Sequence, residues 1–442
     1  MKSFRQWLTI VCLICAVLPA TAQQETGVVT VDATSIVAPI NPYVYGSNMN
    51  LYTIIPASLM PQAQAMGLRF MRFGGGDTDR QDLRNNIIDL FVLQSRAIGA
   101  EPLLSVRLLG GTPEAAADIV RYTNQTRDYN IRYWSIGNEP NLFTALMGID
   151  SYPVERFVAE WRAIALAMRE VDPDIIFVGP DITQYIPLDI VDGRVIFHPA
   201  SDHADENGKD WLVEFLKANG DLIDYVAIHR YPFPTFGNRG ATVDELRTIN
   251  DEWDITIPLL RQIIREAAGR DIPLAVTEIN SNSANSTGGE ASLDSHFNAI
   301  WLADALGRLI VNGVEIVAYW DLQGTAGRAW GLLGSFDVRP TYYTYLMYTH
   351  FGSALLNASS TVPLVSAYAA LREDGQLSVM LVNLGDDPQR VPFVLEGFTA
   401  TTAEVHQFSP DQTPPVTFTL DNAESVEIPG RSITVVVLPP AN

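Results

Sequence analysis

Short apolar runs alternate with longer amphipathic stretches along most of the chain. From residue 40 onward eight such runs recur at regular intervals, each rich in residues that favour β-strands. Several are apolar nearly throughout, which is typical of parallel strands that are buried on both faces. We predict these strands at residues 43–48, 70–74, 103–108, 133–139, 175–180, 225–231, 274–280 and 315–321.

The stretches between the runs have the periodicity of helices. Between residues 295 and 311 apolar side chains recur at helical spacing, and the pattern stops before Asn312 and Gly313. Thr112, followed by Pro113, predicts another helix start with an N-cap and a proline in the first turn. Eight strands that alternate with helices predict an α/β fold, the (β/α)8 or TIM barrel. A doubly wound open sheet is the alternative, although no glycine-rich dinucleotide-binding loop follows the first run.

After Phe351 and Gly352 the helical period disappears. Residues 353–442 contain short β-rich runs separated by turns rich in Gly, Asp and Pro, so we predict a C-terminal all-β sandwich domain. Its predicted strands lie at residues 367–371, 377–383, 391–395, 416–420 and 433–438. We assign residues 40–352 to the barrel and residues 23–39 to an N-terminal strand that joins the β domain.

The first 22 residues have the pattern of a signal peptide. Lys2 and Arg5 give a positive start, residues 7–18 form an apolar stretch, and small residues up to Ala22 supply a cleavage site. Both cysteines of the chain fall inside this segment, so we expect a mature protein without disulfides or cysteine chemistry. The sequence therefore predicts a secreted protein, either extracellular or periplasmic.

The acidic balance of the chain narrows the classes of partner. The formal net charge is −22 at pH 7. Nucleic acids and anionic membranes attract basic surfaces, so we expect neither as a partner once the signal peptide is removed. The charge fits a neutral substrate better than a heavily sulfated one, and it leaves the oligomeric state open.

Two glutamates stand where an apolar run gives way to a loop. Glu139 ends the fourth predicted strand, and Glu278 lies near the end of the seventh. Barrel enzymes place their active sites at the C-terminal ends of the strands, so both carboxylates should face one cavity. Cleavage of a glycosidic bond needs two such groups: one protonates the departing oxygen, and the other attacks the anomeric carbon or activates water.

The sequence Asn138-Glu139-Pro140 at the fourth strand, together with Glu278 at the seventh, resembles clan A of the glycoside hydrolases. The resemblance covers roughly residues 40–350. It implies a retaining glycosidase in which Glu139 is the acid/base, Glu278 is the nucleophile and Asn138 holds the sugar 2-hydroxyl. We expect the negative charge of Glu278 to raise the pKa of Glu139, which must be protonated when it acts as the acid.

Further candidates for substrate binding lie at the sixth and eighth strands. His229 and Tyr231 share one face because of their i, i+2 spacing, and they resemble the clan's His-x-Tyr, in which the tyrosine donates to the nucleophile. A core histidine is the alternative for His229. Trp320 closes the eighth strand, and Trp330 lies in the following loop. Both are candidates for stacking on a sugar ring, with barrel core as the alternative for Trp320.

Arg72 in the second predicted strand is the best candidate for a donor that keeps Glu278 ionised, although a structural ion pair inside the barrel explains it equally well. Acidic clusters at residues 77–79 and 202–210 match no complete calcium loop. The histidines form no HExxH sequence. We therefore predict neither a metal nor a cofactor.

Within the clan, different short segments of the chain resemble different families. Residues 40–46 resemble the start of arabinofuranosidase and endoglucanase barrels, and residues 111–116 resemble arabinofuranosidases. Residues 278–281, 295–301 and 339–343 resemble the β-glucuronidase/heparanase family instead. The chain lacks the Gly-Gly-Asn of the arabinofuranosidases. No basic cluster stands out to bind the carboxylate of a glucuronide, and Arg328 with the loop of Gly324 and Gly327 is the candidate for that contact.

Two other classes of function remain as alternatives. A carbohydrate-binding protein built on an inactive barrel would lack one of the two carboxylates, but the sequence has both. A barrel lyase of the aldolase type would need a metal or a Schiff-base lysine at a strand end, and none of the eight runs ends in lysine.

Overall fold

The structure, a computed structural model, describes residues 27–51, 53–185, 190–191, 194–195, 204–233, 240–324 and 327–441. The predicted signal peptide, residues 1–22, lies outside the described residues, as do residues 202 and 203 of the acidic cluster.

Eight parallel strands close into a barrel. The ring closes where the last strand pairs with the first, Ala318 opposite Gly46. The strands are β1 (Gly46–Met49), β2 (Phe70–Phe73), β3 (Glu101–Val106), β4 (Tyr133–Ile136), β5 (Ile176–Thr183), β6 (Tyr225–Arg230), β7 (Leu274–Ile279) and β8 (Ile316–Tyr319). Each overlaps one of the predicted runs, so the predicted TIM barrel is confirmed.

Helices connect the barrel strands. The predicted cap is present: the hydroxyl of Thr112 accepts a hydrogen bond from the backbone of Ala115. The hydroxyl of Ser295 caps its helix in the same way and accepts a hydrogen bond from the backbone of Asn298. The α-helices span Met60–Ala65, Asn85–Ala97, Pro113–Val120, Phe143–Leu146, Val154–Val171, Trp211–Asn219, Val243–Thr248, Trp253–Ala268, His296–Val311 and Pro340–Tyr348. Among the described residues, none of the helices combines the length and apolarity needed to cross a bilayer.

A second, all-β domain follows the barrel. Its strands span Ala354–Ser360, Val365–Leu371, Leu377–Asn383, Gln389–Glu396, Ala403–Ser409, Gln412–Leu420, Ser425–Ile428 and Ser432–Leu438. The N-terminal strand Val29–Asp32 lies in the same sheet, antiparallel to Ala354–Ser360 and parallel to Gln389–Glu396, and the short strand Ala38–Pro39 also pairs with Ala354–Ser360. The predicted C-terminal β domain is thus confirmed.

The β domain packs against the barrel through one face of its sheet. Met380, Phe408 and Val435 on this face belong to the same apolar core as the barrel helices, whereas Val379 and Val405 on the other face belong to a separate core within the β domain. The phenol of Tyr368 also donates a hydrogen bond of 2.6 Å to the carboxylate of Asp304 in helix His296–Val311. The shared core anchors the β domain to the helical layer and leaves the C-terminal ends of the barrel strands open.

Candidate active site

A cavity of about 800 Å³ opens at the C-terminal ends of the barrel strands. Its walls come from residues that end strands or begin the following loops. They include Asn50, Gly74, Asn138, Glu139, Thr183, Tyr231, Glu278, Trp320 and Trp330. The structure thus brings most of the predicted site residues to one place, as expected for strand ends of a barrel.

The two glutamates meet across this cavity. Carboxylate oxygens of Glu139 and Glu278, together with a ring nitrogen of His229, all lie within 4.8 Å of one another. The side chain of Glu139 is 18% exposed and that of Glu278 is 6% exposed. One carboxylate is therefore reachable from solvent while the other lies at the floor of the cavity.

A sharp turn after β4 directs Glu139 into the cavity. The strand ends at Ile136, earlier than predicted, because Gly137 (φ 78°) and Glu139 (φ 50°) both adopt left-handed backbone. This conformation is costly for a residue with a side chain and persists only where the surroundings enforce it. Here the N–H of Glu139 donates to the carbonyl of Asp181 over 3.1 Å, which ties the turn to the end of β5.

Glu278 is held by two donors. Nη1 of Arg72 donates to its Oε1 over 2.9 Å, and the phenol of Tyr231 donates to its Oε2 over 2.5 Å. Burial raises the pKa of Tyr231 well above its usual value, and so does the charge of Glu278, so the phenol keeps its proton. The predicted partners of Glu278 are in hydrogen-bonding contact with it.

Arg72 joins several strands from inside the barrel. Its guanidinium is fully buried and also donates to Asn48 (3.0 Å), Asn138 (2.8 Å) and Asp181 (3.1 Å). Oδ1 of Asn138 accepts a hydrogen bond from Arg72, which fixes the orientation of the Asn138 amide. The Nδ2 group of Asn138 is then available to the cavity that this residue lines. Arg72 therefore combines both predicted roles, a donor to Glu278 and a buried structural ion pair.

His229 is fully buried beside both glutamates. Its Nδ1 lies 3.1 Å from Oε1 of Glu139 and 3.7 Å from Oε2 of Glu278, and its Nε2 lies 3.6 Å from Oδ1 of Asp181. Burial opposes protonation, but the charge of Glu278 and the contacts with Asp181 and Glu139 raise the pKa of His229 to about 9. His229 is not among the residues that line the cavity, so it faces the carboxylates rather than the space for a substrate.

The charge on His229 changes the expected electrostatics of the two glutamates. Burial alone would raise the pKa of Glu139, but the hydrogen bond and charge of His229 outweigh it, and the pKa lies below its usual value. Burial raises the pKa of Glu278, and the charges of His229 and Arg72 offset this only in part. The directions are opposite to those that we expected from sequence, because that expectation did not include an imidazolium between the carboxylates.

Trp320 and Trp330 both line the cavity. The ring of Trp320 lies on the backbone of Gly75, where an added Cβ would come within 2.4 Å of the ring, and Gly75 has φ 114°. Only glycine suits this position. The guanidinium of Arg328 lies 5.2 Å from the ring centre of Trp330. The geometry leaves stacking on a sugar as a prediction for both tryptophans.

The sequence analysis did not identify two buried aspartates near the site. Asp181 lies on β5, one residue beyond the predicted end of that strand, and is fully buried among polar groups of the site. Asp79, part of the acidic cluster at residues 77–79, is also buried. It accepts backbone hydrogen bonds from Leu108, Leu109 and Asn138 over 2.7 to 2.8 Å. The sequence signal that could have identified Asp181 is its place directly after the apolar run at residues 175–180.

The cluster of His229, Glu139 and Glu278 has atoms close enough to share a cation. However, Arg72 and Tyr231 already donate to both oxygens of Glu278. Protein groups alone therefore satisfy this carboxylate. The absence of a catalytic metal stays a prediction.

Comparisons with known proteins agree with the fold. No family model matches the chain. A stretch of 243 residues is 28% identical to heparanase from Bos taurus and covers 54% of this chain but only 39% of that protein.

Two solved structures show the same architecture. CelM2, a bifunctional glucanase-xylanase from a metagenome library, has a TM-score of 0.72 at 19% identity, over 94% of this chain and 99% of that one. An α-L-arabinofuranosidase from Thermotoga maritima has a TM-score of 0.72 at 18% identity, over 93% and 100%. The similarity to heparanase and these shared folds confirm the predicted resemblance to clan A of the glycoside hydrolases.

Proposed function

We propose that this protein is a retaining glycoside hydrolase that cleaves O-glycosidic bonds in an oligosaccharide or polysaccharide. The observation that carries the proposal is the distance within 4.8 Å between carboxylate oxygens of Glu139 and Glu278. Carboxyl groups about 5–5.5 Å apart are typical of retaining enzymes, whereas inverting enzymes need about 6.5–9.5 Å to admit a water molecule.

The first step forms a covalent glycosyl-enzyme. Oε1 or Oε2 of Glu278 attacks the anomeric carbon while the carboxyl group of Glu139 gives its proton to the departing glycosidic oxygen. The bond from the anomeric carbon to that oxygen breaks, and an ester bond to Glu278 forms. Arg72 and Tyr231 fix the attacking carboxylate by their hydrogen bonds, so little reorganisation is needed.

His229 and Glu139 hold the proton for this step between them. Nδ1 of His229 lies 3.1 Å from Glu139, close enough to pass a proton to it as the substrate displaces water. The negative charge of Glu278 is the main factor that raises the pKa of His229. When Glu278 becomes an ester this charge is lost, and the pair binds its proton less tightly. Glu139 then accepts a proton from the water whose oxygen bonds to the anomeric carbon. The ester bond to Glu278 breaks in the same step, which restores the carboxylate and releases the sugar.

The stereochemistry of the product tests the mechanism directly. A panel of nitrophenyl glycosides and of plant and animal polysaccharides identifies a substrate, and proton NMR of the first-formed product then gives its anomeric configuration. We expect retention, and loss of turnover in Glu278→Ala. An inverted product would refute Glu278 as the nucleophile. Binding of a glycan without turnover of any substrate would favour an inactive, carbohydrate-binding barrel instead.

The substrate that we propose is a glycan of the kinds processed by the similar proteins. The similarity to heparanase and the folds shared with a glucanase-xylanase and an arabinofuranosidase support a carbohydrate substrate. Export is part of the proposal and is supported by the positive, apolar and small-residue pattern of residues 1–22. Mass spectrometry of the native protein tests it, since a mature chain should begin near Gln23. Retention of residues 1–22 would contradict export by this signal.

A further inference from the structure

We infer that Asp181 is a positioning residue of the active site, which sets the protonation of the imidazole beside the two glutamates. The inference rests on the proposed function for its catalytic meaning. Asp181 is fully buried and is not among the residues that line the cavity, so it acts through its neighbours and not by touching a substrate.

The carboxylate of Asp181 is bonded to groups from several strands. Its Oδ2 accepts hydrogen bonds from Arg72 on β2 (3.1 Å) and from the hydroxyl of Ser135 on β4. Its Oδ1 accepts one from the hydroxyl of Thr277 on β7 (2.5 Å) and lies 3.6 Å from Nε2 of His229 on β6. These donors all stabilise the ionised form, so Asp181 is a fixed negative charge at the centre of the barrel.

The imidazole of His229 lies between this charge and the catalytic carboxylates. Its Nε2 faces Asp181, and its Nδ1 faces Glu139 and Glu278. Among the described residues, the charged groups around the ring are three carboxylates and the guanidinium of Arg72, which leaves an excess of negative charge. A proton on His229 reduces this excess. Because all these groups are buried or nearly so, solvent screens their interactions weakly.

Of the three carboxylates, Asp181 is the one whose charge stays constant during the proposed reaction. Glu278 loses its charge when it becomes an ester, and Glu139 gains and loses a proton. Asp181 therefore makes the same contribution to the proton affinity of His229 in each state, including the state in which Glu278 is an ester. The carbonyl of Asp181 also accepts the N–H of Glu139, so the same residue holds the backbone turn that presents the acid/base.

The decisive variant is Asp181→Asn, which keeps the size of the side chain and removes its charge. We expect the alkaline limb of the pH profile of kcat/KM to move to lower pH by at least about one unit, because His229 and Glu139 then hold their proton less tightly. The acidic limb should move in the same direction, since Glu278 ionises more easily near one negative charge fewer. Ser135→Ala is the matched control: it removes a hydrogen bond to Asp181 but no charge, and should leave the alkaline limb in place.

A direct titration separates this inference from the proposed function. With 15N-labelled histidine, NMR reports the protonation of His229 without any catalysis. In the wild type we expect its midpoint well above the ordinary value of about 6.5, and in Asp181→Asn a midpoint lower by at least about one unit. A folded Asp181→Asn protein with both the titration and the limbs unchanged would overturn the inference. Should this variant fail to fold, a wild-type midpoint at or below about 6.5 would overturn it as well.

Discussion

The phenol of Tyr231 donates a hydrogen bond of 2.5 Å to Oε2 of Glu278, on the side of the carboxylate opposite to Arg72. Arg72 bonds to the other oxygen, so the two donors fix the plane of the carboxylate at the floor of the cavity. Because Glu278 is buried, its pKa is raised, and the hydrogen bond from Tyr231 is one of the contacts that counteract this. The phenol therefore helps to keep the proposed nucleophile ionised.

Replacement of Tyr231 by phenylalanine tests this contact. A hydrogen bond to a charged group contributes about 1.5–3 kcal/mol, so we expect kcat/KM to fall about ten- to hundredfold in Tyr231→Phe. Loss of the donor raises the pKa of Glu278 further, and the acidic limb of the pH profile should move to higher pH by about one unit. Tyr225→Phe is the control, because that phenol bonds to Glu315 (3.2 Å) and not to Glu278. An acidic limb that stays in place in Tyr231→Phe would contradict the role of the phenol.

The dependence on the leaving group tests the role of Glu139. Without a general acid, Glu139→Ala should lose about 10²- to 10⁴-fold in rate on substrates with poor leaving groups, but far less on activated aryl glycosides. Azide should restore turnover by attacking the glycosyl-enzyme in the space that the carboxylate vacates, and the glycosyl azide should have the retained configuration. Glu315→Ala removes a carboxylate at the start of β8 and should show neither effect. Equal losses on both substrate classes would rule out the acid/base role.

The pattern of the sequence was sufficient to predict the barrel and to place the two glutamates. Alternation of apolar runs with helical stretches predicts strand ends, and strand ends predict a shared cavity. Glu139 and Glu278 were found in this way although they lie far apart in the chain. The C-terminal β domain followed from the loss of helical period after Gly352.

The electrostatics of the site were not predictable from the same pattern. Whether His229 carries a proton depends on Asp181 in β5, Glu278 in β7 and Glu139 in the turn after β4. Asp181 was missed because β5 extends past Pro180. Asp181 itself has left-handed backbone (φ 56°), and the register of β5 against β6 shifts at this residue. Local sequence does not specify such a bulge, and the hydrogen bonds that stabilise it are long-range.

Asp79 offers a test of a structural carboxylate in the site. Asp79→Ala would leave the N–H groups of Leu108, Leu109 and Asn138 without their acceptor. A buried donor without a partner costs about 1–3 kcal/mol, so we expect the free energy of unfolding to fall by about 3 kcal/mol or more. Denaturant unfolding measures the change. Asp77→Ala, which alters an exposed residue two positions earlier, should change stability by less than about 0.5 kcal/mol. Equal stabilities of the two variants would show that the hydrogen bonds to Asp79 do not stabilise the fold.

Two histidines meet where the barrel packs on the β domain. His350 follows helix Pro340–Tyr348, and His406 lies in strand Ala403–Ser409. Their rings stack with centres 3.6 Å apart and an interplanar angle of 16°. Burial lowers the pKa of His350 to about 4, and the charges of His406 and Arg372 act in the same direction. Burial also lowers the pKa of His406, although the nearby Glu404 opposes this.

These lowered pKa values predict that acid destabilises the protein through this contact. Between pH 6.5 and pH 4 the unfolded chain binds a proton at His350 that the folded protein excludes. The stability that the uncharged His350 contributes is thus fully present above about pH 6.5, and it is lost as the pH falls toward 4. After allowance for solvent screening of the partly exposed ring of His350, we expect a loss of about 1–2 kcal/mol. Denaturant unfolding at pH 7.5 and pH 5 measures it, and His350→Gln should lose less stability over this interval than the wild type. The same loss in both proteins would show that the stacked pair does not respond to pH.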